Sequence, residues 1–194
     1  ATNLATAGLA QVKHDTNSNW QFVAASDRVE LDLGNANDRS SLHNIDSWKS
    51  TGGFTLDVEF NQTAAGALFS FGIVDAAYAI TKNESLNSGR ADAYGIGFGT
   101  TGYVPSDALV FNDGTGLDGD VRGGSSALSV AQGNIDFGAV STLSLTVTST
   151  TWSYRLNGAA TATTGTFATA FDTSRNYRFL ANGQRSDSNP NGSY

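Results

Sequence analysis

The chain has 194 residues, is 39% hydrophobic and carries a formal net charge of −7 with only 15% charged residues. That length and apolar fraction suit one domain with a sizeable core, and the acidic balance with no basic run excludes nucleic acid as a partner. With no cysteine, disulfides, thiolate catalysis and cysteine-based metal sites are excluded as well.

Residues 1–19 are polar and small and are expected to form an N-terminal extension or a short helical turn. Trp20–Ala25 and Arg28–Leu33 are expected strands; in the second, Val29, Leu31 and Leu33 alternate with Arg28, Glu30 and Asp32. Leu42, Ile45 and Trp48 are spaced three apart, which predicts a single helical turn capped near Ser40 or Ser41. Gly52 and Gly53 end it.

The next run, F-T-L-D-V-E-F over Phe54–Phe60, alternates apolar and polar residues without a break. A period of two marks a half-buried strand. Ala67–Ile73, Ala76–Thr81 and Ala93–Gly99 follow as strands. The last sets Gly95, Gly97 and Gly99 against Tyr94, Ile96 and Phe98, so a backbone, a ring or a ligand approaches closely there. Leu109–Phe111 is short and apolar. Residues 112–126 form a long glycine- and aspartate-rich loop. Strands are expected at Ala127–Val130, Ile135–Phe137, Leu143–Val147 and Thr151–Leu156. Asn157-Gly158 signals a type I′ turn, with Ala160–Thr164 as the return strand. Tyr177–Leu180 is the last expected strand, and the polar tail 182–194 is expected to be a loop. Half-wet strands without helical periodicity predict an all-β, two-sheet antiparallel sandwich. No repeat or linker divides the chain, so the expected domain is a single sandwich over 1–194.

The 22 glycines and the Asn, Asp, Ser and Thr between apolar runs suit a turn-rich β protein. The apolar stretches are too short to span a membrane. The chain has no methionine and no charged, apolar leader, and is expected to be a processed or excised piece or to have lost its initiator.

Four stretches in order resemble the concanavalin A-like lectin/glucanase superfamily, especially its laminin-G-like bacterial domains. They are G-F-T-L-D-V-E-F over Gly53–Phe60; A-L-F-S-F-G over Ala67–Gly72 with Y-G-I-G-F-G over Tyr94–Gly99; the run Leu143–Gly158 with its Asn-Gly turn; and Phe171–Gly183. The resemblance implies a jelly roll in an extracellular or cell-surface protein, such as an adhesin, with a glycan or another surface ligand as partner. Two departures stand out. Such domains close with an apolar strand that the tail from Asn182 does not display, so Trp20–Ala25 takes that place or the wiring differs. The denser acid motif of the enzymatic branches is also missing.

Candidate sites follow from residue chemistry. Glycosidases need two carboxylates roughly 5–10 Å apart, and Asp57 with Glu59 on one strand face is the weak catalytic alternative. A lyase needs a base and a cation at the uronate; His14 and His43 are the only histidines, and Arg155 with Arg178 would have to share a face. Calcium takes hard oxygens from a flexible loop, which points to Asp113, Asp118 and Asp120 as metal ligands and to calcium as the expected cofactor. Sugar binding uses loop amides, acids and a ring: Tyr103, Asn112, Trp152, Asn182, Asp187 and Asn189, with Tyr194 as a further accessible ring. The expected function is non-catalytic binding of carbohydrate or another surface ligand. A structural module of a phage tail or capsid and a polysaccharide-cleaving enzyme are the alternatives.

Overall fold

The structure is a computed structural model that describes residues 3–13, 18–23, 28–33, 38–61, 67–81, 93–99, 108–113, 130–131, 140–167 and 170–185. Two antiparallel sheets face each other. The larger contains β1 (Leu9–Lys13), β4 (Arg39–Asn44), β14 (Asn176–Arg185), β7 (Ala67–Asp75), β8 (Ala93–Gly99), β9 (Ala108–Asp113) and β10 (Val130–Ala131) in that spatial order, with β5 (Trp48–Lys49) paired to the start of β14. The smaller runs β13 (Thr163–Thr166), β12 (Thr151–Leu156), β11 (Val140–Val147) and β6 (Phe54–Asn61). β2 (Ser18–Val23) and β3 (Arg28–Leu33) form a separate two-stranded ribbon. The described residues contain no helix, and the expected all-β sandwich is formed.

Alternation decides which side of each strand is dry. In β11, Leu143, Leu145 and Val147 are at most 2% exposed, while the residues between them turn outward. They meet Leu42, Phe71, Ile73, Tyr94 and Ala181 of the larger sheet, with Trp20, Leu31 and Leu33 of the ribbon completing the core. Burying each large aliphatic side chain contributes about 1.5–3 kcal/mol. Phe54, Leu56, Val58 and Phe60 pack on the same core but are only partly buried, because β6 is an edge strand of its sheet. The chain enters β6 through Gly53, whose φ is +131°; a Cβ there would lie 2.0 Å from the Val147 carbonyl oxygen, so only glycine fits.

Several expectations are corrected. Leu42 does not lie on a helical turn: residues 39–44 are β4, and Trp48 begins β5. Part of the expected extension, Leu9–Lys13, is the edge strand β1, paired with β4 from Leu9–Asn44 to Lys13–Ser40. Ala76–Thr81 forms no strand; it turns after Asp75, with the Tyr78 amide donating to the Asp75 carbonyl at 3.0 Å. The closing strand exists, and it includes residues assigned to the tail. β14 continues through Asn182 and Gly183 to Arg185 and lies between β4 and β7. Asn157 and Gly158 have φ of 49° and 66°, as a type I′ turn requires. The return strand nevertheless starts only at Thr163, because Arg155 Nη1 donates to the carbonyls of Ala159 (2.6 Å) and Ala160 (2.5 Å) and holds the intervening chain off the sheet. Ile135–Phe137 lies outside the described residues.

Candidate functional site

At one end of the larger sheet β7 and β9 finish, while β8 and β14 begin. Antiparallel register therefore gathers Asp75, Asn112, Asp113, Ala93, Asn176 and Tyr177 at one rim. Tyr177 pairs with Asp75, Tyr94 with Asp113, and Gly95 with Asn112. Beneath the rim lies a floor of rings. The Tyr94 centroid is 4.7 Å from Phe171, 5.8 Å from Phe167 and 6.1 Å from Tyr177, and Trp48 stands 6.0 Å from Tyr177. The Tyr177 hydroxyl donates to the Asp172 carbonyl at 2.7 Å, and the Asp172 amide donates to the Tyr94 hydroxyl at 3.4 Å. Burial, with Tyr94 close by, pushes the Tyr177 hydroxyl well above the ordinary tyrosine range.

One guanidinium ties this rim together. Arg175 Nε donates to Asp172 Oδ2 at 2.7 Å and Arg175 Nη1 to Asp75 Oδ2 at 2.6 Å. The other oxygen of each acid is also engaged: Asp75 Oδ1 accepts the Ala77 amide at 2.9 Å, and Asp172 Oδ1 accepts the Ser174 amide (2.8 Å) and hydroxyl (2.5 Å). These bonds, the Ser174 hydroxyl first and then the Ser174 amide and Arg175, hold the Asp172 carboxyl below its usual range. Arg175 is held above its own, first by Asp172 and then by Asp75. All four carboxylate oxygens have protein donors, so the pair organises the loop and offers no ready ligand set for a cation. The described residues contain no cluster of three metal-binding side chains.

The sequence candidates are placed unevenly. Asn112 and Asp113 reach the rim by register at the end of β9. Tyr103, Asp118, Asp120, Asp187, Asn189, Tyr194 and His14 lie outside the described residues. Two ligand-binding candidates are corrected by burial. Trp152 is 3% exposed, with its ring stacked on Tyr154 at 6.1 Å. Asn182 is 1% exposed, and its Nδ2 donates to the Ser41 hydroxyl at 2.9 Å and the Ser40 carbonyl at 3.2 Å. Neither is available to a ligand at the surface.

Asp57 and Glu59 point outward from β6, level with Ser144 and Thr142 of β11. This is an exposed outer face at the edge of the smaller sheet. His43 sits inside β4, with Nδ1 2.9 Å from the Asn44 carbonyl. Arg155 and Arg178 do not share a face, because β12 and β14 belong to different sheets. The Asp75–Arg175–Asp172 network escapes sequence reasoning because 100 residues separate Arg175 from Asp75; only the D-T-S-R run over Asp172–Arg175 hints at it, as an aspartate turn.

The outer face of the larger sheet is partly covered. Val74, Ala93 and Leu180 are fully buried there, with Ile80 of the turn segment packed on them. The Ser41 hydroxyl donates to the Thr81 carbonyl at 2.8 Å, which fastens the same segment to β4.

Two facing antiparallel sheets with this strand order define the concanavalin A-like lectin fold. The carbohydrate recognition domain of Emp46p, in its potassium-bound form, matches 96% of this chain and 84% of its own, with a TM-score of 0.66 and 14% identity. The corresponding domain of Emp47p gives 0.65 and 15% identity, with 96% and 84% covered. The exoplasmic/lumenal domain of VIP36, in a Ca2+/Man-bound form, gives 0.62 and 11% identity, with 96% and 80% covered. No family model and no curated protein matches the sequence. Among the described residues no helix is long and apolar enough to cross a membrane.

Proposed function

We propose that this chain is a carbohydrate-binding module that holds its ligand without turning it over. The observation that carries the reading is the extent of the structural match: 96% of the chain superposes on carbohydrate recognition domains. The rim supports it chemically. Loops there are set on a rigid aromatic floor and pinned by Arg175, the arrangement that lets polar side chains meet sugar hydroxyls in fixed positions.

In this reading calcium organises the loop after β9. Asp113, Asp118 and Asp120 supply carboxylate oxygens, and Asn112 of β9, Asp187 and Asn189 are the further oxygen ligands of this reading. Tyr103 provides a stacking ring. The module belongs to a secreted or cell-surface protein such as a bacterial adhesin, and its partner is a surface glycan. An enzyme reading has little to work with, since Asp57 and Glu59 stand on an open outer face.

The test is a glycan array run with calcium and with chelator, paired with reducing-end and unsaturated-product assays on the polysaccharides bound. Calcium-dependent binding without products supports the reading. Product formation lost on Glu59→Gln would replace it with hydrolysis, and silence on the array would remove it.

A further inference from the structure

Arg178 stands out in a chain of net charge −7. Its side chain is half-buried, and its Nε exposes less than 1 Å² yet has no hydrogen-bond partner. Among the described residues no acid pairs with it. The carboxylates of the adjoining rim, Asp75 and Asp172, are both claimed by Arg175.

The register explains its surroundings. Arg178 lies beside Val74, and Val74 beside Ala93. By strand alternation the side chain therefore rises on the outer face of the larger sheet, next to the fully buried Val74, Ala93 and Leu180. On the β4 side, Asn44 Oδ1 accepts the Phe179 amide at 2.5 Å. That contact places Ile45, which is 46% exposed, at the level of Arg178. Beyond β7 the turn after Asp75 carries Tyr78, 39% exposed. The result is a cation beside a covered aliphatic cluster, with two exposed large hydrophobic side chains, Ile45 and Tyr78, on the segments that flank it.

A buried donor on a guanidinium is costly to leave unpaired, and dry surroundings strengthen any ion pair made there. Guanidinium presents Nε–H and Nη–H as a planar fork that matches the two oxygens of a carboxylate or phosphate. Tyrosine and isoleucine at the border suit the apolar face of a sugar ring. We propose that Arg178 is the anion-binding residue of an acidic-sugar subsite, taking the carboxylate or phosphate of a charged saccharide while Tyr78 and Ile45 flank the ring. The inference rests on the carbohydrate-binding reading and narrows it to anionic glycans.

The buried Nε–H allows a direct test by nuclear magnetic resonance. Wild-type protein labelled with ¹⁵N is titrated with glucuronate, mannose 6-phosphate, glucose and mannose, and the Arg178 Nε–Hε signal is followed. The expected result is a saturable shift with an acidic sugar and none with its neutral counterpart. A larger response to glucuronate identifies the carboxylate as the natural group, and a larger response to mannose 6-phosphate the phosphate.

Replacing Arg178 by Gln should erase a preference for acidic over neutral sugar of about tenfold or more, the effect of a charge-assisted bond. Arg178→Lys should keep part of it. If neutral glycans bind on the array and the Arg178 signal responds to no acidic sugar, the subsite is refuted while the carbohydrate-binding reading stands. If no glycan of any charge binds, both fail.

Discussion

Gly165 lies against the Trp152 indole, and a Cβ built on it would sit 2.4 Å from the ring carbons Cε2 and Cζ2. The two residues are ladder partners, in β13 and β12. Trp152 can lie flat against Tyr154 because its partner has no side chain. Gly165→Ala should therefore displace a buried ring and lower stability by about 1–3 kcal/mol, the usual cost of overpacking. A urea unfolding midpoint unchanged from wild type would contradict this. Gly53→Ala should cost more, since the intruded atom is the fixed Val147 carbonyl oxygen rather than a side chain.

Acid should loosen the rim through Asp172. Its folded-state pKa is depressed, chiefly by the Ser174 hydroxyl and amide and then by Arg175. The contribution is therefore present above the unfolded value, about 3.9, and is lost as pH falls through the lower folded value. Asp172→Asn should be less stable than wild type at pH 7, with the gap closing as pH falls below the ordinary carboxylate range. Urea midpoints across that range provide the check; a gap that stays constant with pH would mean the charge plays no part.

Alkali should act through Tyr177, which is 1% exposed. Its folded pKa is raised by burial, so the unfolded chain loses the phenolic proton first and stability falls as pH rises above about 10. Tyr177→Phe gives up the bond to the Asp172 carbonyl, a cost of about 1 kcal/mol at neutral pH. The same variant should lose less stability than wild type between pH 9 and pH 11 in thermal melts.

Calcium, if bound by the native state alone, must stabilise it by mass action. Chelator should lower the melting temperature of wild type, and added calcium should raise it again. In a variant with Asp113, Asp118 and Asp120 all changed to Asn, both responses should vanish. Identical wild-type melts with chelator and with calcium would remove the ion from the account.

Strands whose burial is local were legible from the residues alone. The run Phe54–Phe60 and the run Leu143–Val147 each show an apolar face at period two, and Thr151–Leu156 was placed with its observed bounds. β4 was not legible. Only Leu42 supplies an apolar inward residue, while Ser40 and Ser41 are fully buried through bonds to Val12, Thr81 and Asn182, far away in sequence. Asn182 and Gly183 hide the second half of β14 for the same reason: a polar residue that finds its partners in another strand looks like loop. At the candidate site, Asn112 and Asp113 were named, while Arg175 and Arg178 owe their roles to register between strands that no local pattern encodes.

β14 has one more consequence, for how the molecule is made. It is the last described strand, yet it occupies the middle of the larger sheet, with β4 on one side and β7 on the other. During synthesis neither β4 nor β7 can find this shared neighbour until residues 176–185 have emerged, and both leave open edges meanwhile. The larger sheet stays in two parts until its most distant contacts form, a dependence on non-local pairing that slows folding and exposes strand edges before the final strand arrives.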